Sequence, residues 1–151
     1  MSIDAYLEKI QTLIDTHGWA IQGVGTTPPV VYTVGLSTKG LPEIVVMGLP
    51  FKVAQTILNQ LARQMTESQF TPEANRRFDE IFEGFSARFV PLTPAQVGPH
   101  LRVACAVSDE TPQAWQLIWP DPSGKFEGEE GVDPQFVAMQ NLALTDEDEP
   151  M

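Results

Sequence analysis

Cysteine and histidine are both scarce in this sequence of 151 residues, which contains one cysteine and two histidines. A single cysteine excludes an intrachain disulfide, and neither residue type occurs at the C-x-x-C or H-x-x-x-H spacing of a zinc site. The acidic runs lack the alternating oxygen ligands and fixed glycine of a calcium loop. We therefore predict no metal site. Cys105 lies in the apolar run V-A-C-A-V, so we expect a buried hydrophobic side chain there and not a nucleophile.

Basic residues are also few, because 9 lysines and arginines stand against 20 acidic residues, for a formal net charge of -11. Such a chain repels phosphate backbones, so we predict no nucleic-acid partner. No apolar run approaches the roughly 20 residues that span a bilayer, and the N-terminus lacks the basic and apolar regions of a signal peptide. We predict a cytoplasmic protein without a membrane partner. The oligomeric state stays open.

Nucleotide-binding and nucleophile motifs are absent. The sequence has no G-x-x-x-x-G-K-[ST], no G-x-G-x-x-G and no G-x-S-x-G elbow. The junction Gly48-Leu49-Pro50 has N–H groups that can hold an anion, but Pro50 removes one donor and a simple tight turn is favoured. We therefore predict no cofactor. A serine or threonine acting with His17 or His100 stays open, because triads assemble in space and not in sequence.

The pattern that is present is that of a single α+β domain, which we place at residues 1–144, followed by an acidic disordered tail at residues 145–151. Alternating and continuous apolar runs predict a mainly antiparallel sheet of about five strands, at Trp19–Val24, Val30–Leu36, Glu43–Met47, Phe85–Leu92 and Ala114–Trp119. Apolar stripes predict two or three helices, beginning after Ser2, near Pro50 and after Thr93. The segment 76–84 fits a helical turn and a strand equally.

The stretch from Val30 to Pro50 holds the strongest strand signal, with two apolar runs joined by a short turn. Gly35 lies in one of these runs, where glycine often marks a bulge or a close approach to the backbone. Aromatic and polar side chains fall at element ends or on strands that could adjoin. We predict from them a candidate ligand-binding site with aromatic walls and a few polar groups: His17, Trp19, Tyr32, Thr33, Glu43, Trp119 and Asp121.

Each candidate also has a structural interpretation. His17 suits the C-terminal end of a helix, and the aromatic residues suit a core between sheet and helices. Glu43 and Asp121 suit turns in which a carboxylate accepts backbone N–H bonds. If Glu43 is partly buried beside Tyr32, its pKa rises and it can act as an acid or base. The sequence leaves both interpretations open.

Five short motifs occur in order along the chain: H-G-W at 17–19, Y-T-V-G-L at 32–36, P-E at 42–43, G-L-P at 48–50 and Q-L-I-W-P-D-P-S-G at 116–124. This ordered set resembles the bacterial family labelled domain of unknown function 4262. That family has no assigned reaction, so the resemblance implies no mechanism. The family tends to follow its P-D…G turn with an aromatic, proline and tryptophan segment. This chain has Phe126 and then E-G-E-E-G, so a role of that segment in closing a pocket does not carry over.

The absence of a recognisable catalytic set favours a non-catalytic module that binds a small molecule or a protein near Tyr32 and Glu43. One alternative is a small enzyme with acid–base chemistry at Glu43, assisted by His17 or Tyr32. Another is an acidic mimic or inhibitor of a basic partner, acting through Glu127–Asp133 and the tail. The sequence does not decide whether the protein is an enzyme.

Overall fold

The computed structural model describes residues 2–74, 76–82 and 85–140 of the chain. The predicted tail at residues 145–151 lies outside this part. A short 3₁₀ helix, Leu36–Lys39, joins the second and third strands. Six strands and five α-helices are found in the described part, in the order α1 (Ile3–His17), β1 (Ala20–Val24), β2 (Val30–Val34), β3 (Glu43–Met47), α2 (Phe51–Thr66), β4 (Phe78–Phe82), β5 (Phe85–Pro91), α3 (Pro94–His100), α4 (Arg102–Ser108), β6 (Ala114–Ile118) and α5 (Pro134–Ala138).

The six strands form one sheet in the spatial order β1-β2-β3-β6-β5-β4. The first three strands are an antiparallel meander, which their short connections predict. β3 pairs with β6 in parallel, whereas β5 pairs antiparallel with β6 on one side and β4 on the other. The predicted α+β class is confirmed. The sheet is mixed because the long crossover from β3 to β6 returns the chain in the same direction at the centre of the sheet.

The structure has one strand and at least two helices more than the sequence predicts. The segment that fits a helical turn and a strand equally contains β4, which forms an edge of the sheet. The helix predicted after Thr93 is divided, because α3 ends at His100 and α4 begins at Arg102. Pro99 lies inside α3 and has no N–H to donate, and Leu101 between the two helices has a non-helical φ of -113° and ψ of 55°.

Two helices begin where the sequence predicts, after Ser2 and after Thr93, and residues close in the sequence set the helix ends. The Ser2 hydroxyl accepts a bond from the Ala5 N–H at 3.1 Å, which caps the first turn of α1. Gly18 ends the same helix in the left-handed region, with a φ of 99°. Thr93 and Gln96 form a reciprocal capping box at the start of α3. These ends depend on residues within four positions of one another, which is why the sequence reveals them.

Each face of the sheet has its own hydrophobic core. Val31 and Leu36 pack with the apolar face of α2, whereas Tyr32 and Val34 pack with α1, α3 and α4. Alternation along the predicted strand Val30–Leu36 would place Leu36 on the same face as Tyr32. It lies on the other face because β2 ends at Val34 and the chain reverses through Gly35, whose φ is 110°. No helix in the described ranges is both long enough and apolar enough to span a bilayer.

Candidate functional site

Glu43, the first residue of β3, is fully buried and its carboxylate accepts five hydrogen bonds. Oε1 accepts from the Thr33 hydroxyl at 2.7 Å and from the Leu36 N–H at 3.3 Å. Oε2 accepts from the Gly35 N–H at 3.0 Å, and from the N–H and hydroxyl of Ser37 at 3.0 and 2.9 Å. We call these five residues the Glu43 cluster. Every partner is a donor, which matches the two acceptor oxygens of the carboxyl group.

The backbone of the Glu43 cluster has its shape because of Gly35. Its φ of 110° turns the chain from β2 into the 3₁₀ helix, and this aims successive N–H groups at the carboxylate. A Cβ at Gly35 would also lie 2.9 Å from the Ile14 side chain of α1. The glycine signal in the sequence therefore marks both a turn and a close approach. The Thr33 hydroxyl completes the cluster, because it also accepts from the Ile44 N–H at 2.9 Å.

Burial and hydrogen bonding act in opposite directions on Glu43. Loss of solvation raises the pKa of its carboxyl above the usual value, and the bonds from Thr33, Ser37 and Gly35 lower it by a smaller amount. For Tyr32, burial raises the pKa of the hydroxyl to about 12, although the Val103 N–H donates to it. Tyr32 is therefore neutral near neutral pH.

The other candidates at this end of the chain lie on separate elements. The Tyr32 hydroxyl is engaged by α4, since it accepts from the Val103 N–H at 3.0 Å. Trp19 is partly buried against the α2 core, and its indole N–H donates to the Asn59 side chain at 2.9 Å. His17 is exposed in the last turn of α1. The sequence predicts a common site for the candidate residues, but the described hydrogen bonds join only Thr33 to Glu43 among them.

Trp119 and Asp121 hold the chain that follows β6. The indole N–H of Trp119 donates to the Met47 carbonyl at 2.9 Å, at the end of β3 opposite to Glu43. Because a strand rises about 3.3 Å per residue, roughly 13 Å of β3 separates these two positions. Gln140 binds the Trp119 backbone through its side-chain oxygen and nitrogen, each at 2.8 Å. Trp119 and Asp121 therefore lie near the Met47 end of the paired strands β3 and β6, whereas Thr33 and Glu43 lie at the other end.

Asp121 organises the segment between β6 and α5. Its Oδ1 accepts from the N–H groups of Ser123 and Lys125 at 2.8 and 2.9 Å, and its Oδ2 accepts from the Asp133 N–H at 2.9 Å. The N–H of Lys125 is the main reason that the pKa of Asp121 lies below its usual value. A cavity that touches Trp119 and Asp121 has a volume of about 10 Å³, which is room for about one water molecule.

Several functional groups of these two regions are not visible in the sequence. The backbone N–H groups of residues 35–37 carry no side-chain signal, and Gln140 lies outside every motif that we identified. In the acidic segment, Glu129 accepts from the Phe126 N–H at 2.9 Å and Asp133 caps α5. Within residues 2–74, 76–82 and 85–140, no group of three His, Cys, Asp or Glu side chains is placed to hold a metal ion.

Comparison with known proteins gives one positive result. The model of the family described as a domain of unknown function (DUF4262) matches residues 13–133, which is most of the chain. No curated protein matches the sequence. No solved structure matches it either. The matched range includes the Glu43 cluster, Trp119 and Asp121, so the geometry described above lies within the family region.

Proposed function

We propose a function from the geometry, because the chain belongs to the family described as a domain of unknown function (DUF4262) and that description names no reaction. The protein is a non-catalytic module that binds another protein. It accepts an extended segment of that partner as an additional strand along β1. The observation that carries the proposal is the free edge of β1, which is flanked by exposed apolar side chains. The proposal includes a cytoplasmic location. The single cysteine supports that location, since disulfide frameworks are typical of oxidising compartments.

Within the part of the chain that the structure describes, β1 is an edge strand that pairs only with β2. The outer side of such a strand presents backbone N–H and C=O groups that can pair with another extended chain. One of the β1 carbonyls, that of Gly23, accepts from the Gln22 side chain at 2.9 Å. The Tyr6 hydroxyl in turn binds that side chain. A partner strand would replace this flexible amide contact with backbone hydrogen bonds.

An open groove of about 450 Å³ runs along this edge, and residues from both faces of β1, including Ile21 and Val24, line it. Phe51 forms a wall of the groove at the start of α2 and is 42% exposed. Gly23 makes this possible, because a Cβ at that position would lie 2.8 Å from the Phe51 ring. Val53 on the same helix is 46% exposed. Exposed apolar side chains beside a free edge are typical of a surface that buries them on binding.

The opposite edge of the sheet is protected against such pairing. β4 has a register shift between Phe78 and Phe82, and Asp79 within it is exposed and pairs with Arg77 at 2.9 Å. Irregular pairing and charged side chains are the usual protection of an edge strand. β1 has the sequence A-I-Q-G-V, which contains no charge and no proline. The two edges of one sheet therefore differ, and β1 is the one suited to accept a strand.

The charge of the chain indicates which partner fits. With a net charge of -11, the molecule attracts basic segments and repels a second copy of itself. On α1, which supplies Tyr6 to the groove, Asp4 and Glu8 are exposed. We therefore expect an extended segment with apolar residues at alternate positions and lysine or arginine at its ends. The apolar residues would contact Phe51, and the net negative charge of the chain would attract the basic ends.

Synthetic peptides of about ten residues test the proposal. A peptide that alternates valine and threonine between lysine ends is added to the labelled full chain, and the amide exchange of residues 20–24 is followed by NMR. We expect slower exchange there, weak binding of the same peptide with glutamate ends, and no binding when a central residue is proline. Phe51→Ala should lower the affinity about tenfold, which corresponds to about 1.4 kcal/mol.

Leu13→Ala is the matched control, because Leu13 is also a large apolar residue, 37% exposed, on α1 away from the groove. The proposal would be overturned if the two substitutions changed the peptide affinity equally. It would also be overturned if the lysine-ended peptide, at millimolar concentration, left the amide exchange of β1 unchanged. Measurement of the molecular mass in solution tests whether a second copy of the chain occupies this edge instead. A dimer that Phe51→Ala converts to a monomer would show that a second copy, and not a basic partner, occupies this edge.

The alternatives receive less support from the described contacts. An acid–base enzyme at Glu43 requires the carboxylate to meet a substrate, but Glu43 is fully buried and its oxygens already accept five bonds. An acidic mimic requires free carboxylates in the Glu127–Asp133 segment. Of its four carboxylates, Glu129 and Asp133 instead accept from the flanking N–H groups of Phe126 and Gln135, and Glu127 and Glu130 are exposed.

A further inference from the structure

We propose that a second site, far along the chain from β1, binds a small zwitterion with an apolar side chain, such as a free aromatic amino acid. The site is an open cavity of about 540 Å³ between the end of α2, the following segment 69–74 and the start of β4. This volume suits a small ligand. The described residues that line it combine three chemistries: paired cations, paired anions and an aromatic surface.

The charges of the cavity are balanced, which is unusual in so acidic a chain. Arg76 pairs with Glu73 at 3.3 Å, and Arg77 pairs with Asp79 at 2.9 Å. All four side chains are between 46% and 62% exposed, so each pair stabilises the fold only slightly and a ligand can replace it. The described lining thus offers two guanidinium groups and two carboxylates. A ligand with one charge of each sign can satisfy both, whereas a simple anion meets the carboxylates unfavourably.

Aromatic rings hold the arginines in position and form the apolar part of the site. The Arg76 guanidinium lies 4.5 Å from the centre of the Phe78 ring, and Phe70 contacts Phe78 edge-on at a centroid distance of 5.1 Å. Arg77 is stacked 5.5 Å from the ring centre of Phe126. A stacked guanidinium keeps its N–H groups free at the edge, where a carboxylate binds in a bidentate manner. Phe70 and Phe78 also line the cavity and can pack against an apolar side chain.

Gln64 supplies an independent observation. It lines the cavity, and its side-chain oxygen is buried without a hydrogen-bond partner among the described residues. An acceptor left in this state costs free energy until a donor reaches it. An ammonium group has three N–H donors and no acceptor, and it also matches the carboxylates of Glu73 and Asp79. The carboxylates of Glu73 and Asp79 therefore favour a ligand with a positively charged amine beside its carboxylate, and the Gln64 oxygen can accept from that amine once its side chain turns toward the cavity.

The experiment compares L-phenylalanine with three probes that each lack one of its groups. N-acetylphenylalanine lacks the ammonium, phenethylamine lacks the carboxylate, and glycine lacks the apolar side chain. Binding to the full-length chain is measured by NMR shift changes around the cavity, with calorimetry for the affinity. We expect phenylalanine to bind and each of the other three probes to bind at least tenfold more weakly. N-acetylphenylalanine binding as tightly as phenylalanine would overturn the proposal, because the site would then be a simple anion site.

Arg76→Gln should lower the affinity for phenylalanine at least tenfold, and Arg102→Gln is its control, because it removes the same charge from an exposed position on α4. Equal losses for both variants would show that only net charge matters and would also overturn the proposal. The same holds if phenylalanine at about 10 mM causes no shift changes near the cavity. The four-probe comparison on the unmodified chain decides the matter even if one variant folds poorly.

Discussion

At the scale of single residues, the arrangement around Glu43 shows how a buried charge is accommodated. Its carboxylate receives three backbone N–H bonds and two hydroxyl bonds, and four of these five donors lie within residues 35–37. The carboxylate therefore joins the end of β2, the 3₁₀ helix and the start of β3. A side chain that connects three elements in this way is needed for folding, whatever surface the protein uses for binding.

We expect Glu43→Gln to lower the free energy of unfolding by about 1–3 kcal/mol at neutral pH, because the amide turns two N–H donors toward groups that are themselves donors, whereas the carboxyl group has one O–H donor when protonated and none when ionised. The measurement is urea denaturation of both proteins, with Glu8→Gln as an exposed control on α1. Burial raises the pKa of Glu43, so the folded state holds its proton more tightly than the unfolded state does. The contribution of Glu43 to stability is therefore complete at a pH below the pKa that its carboxyl has in the unfolded state. It is lost as the pH rises through the pKa that the carboxyl has in the folded state.

The deficit of Glu43→Gln should accordingly shrink as the pH rises upward from the ordinary carboxyl value of 4.5. A deficit that grows with pH over this range would show that the five donors outweigh burial and hold the pKa down. Asp121 is the opposite case, since backbone N–H bonds lower its pKa and its stabilising contribution is lost as the pH falls through that lowered value. The two carboxylates can therefore be distinguished in one pH series.

At the scale of elements, the sequence predicts what neighbours in the chain decide. The helix starts after Ser2 and Thr93 and the meander of the first three strands depend on nearby residues, and the structure has them as predicted. The pairing of β3 with β6 depends on residues 48–113 between them, and no local pattern records it. Tyr32 and Val103 are likewise far apart in the sequence, which is why the sequence does not predict their contact. Side-chain alternation could not place Leu36, because one left-handed glycine changed its face.

The side chain of Gln140, which follows α5, joins this last described helix to the end of β6. Gln140 is 3% exposed, accepts from the Trp119 N–H and donates to the Trp119 carbonyl. We expect Gln140→Ala to leave both backbone groups unpaired, to cost about 1–3 kcal/mol and to speed amide exchange at Trp119. Gln135→Ala, at an exposed position of the same helix, is the control. Equal exchange at Trp119 in the two variants would show that the apolar contacts of Phe136 with Trp119 hold α5 without the amide.

At the scale of the whole molecule, acidic charge exceeds basic charge and few charges are paired. The described part contains two ion pairs between side chains, both of them exposed. Repulsion among the remaining carboxylates destabilises the compact state, and salt screens that repulsion. The melting temperature should therefore rise between about 10 mM and about 200 mM sodium chloride, as measured by calorimetry. A fall over this range would indicate that the attractive pairs contribute more than the repulsion does.

The order of strands in the sheet also has a consequence for synthesis on the ribosome. β1, β2 and β3 can pair as soon as Met47 has left the exit tunnel, but the second side of β3 waits for β6, which begins at Ala114. During the translation of residues 48–113, the nascent chain carries an apolar strand, E-I-V-V-M, with one open side. Such a strand can pair wrongly with a neighbouring chain. α2, which is made next and covers Val46, therefore shields one apolar face of this strand before β6 pairs its open side.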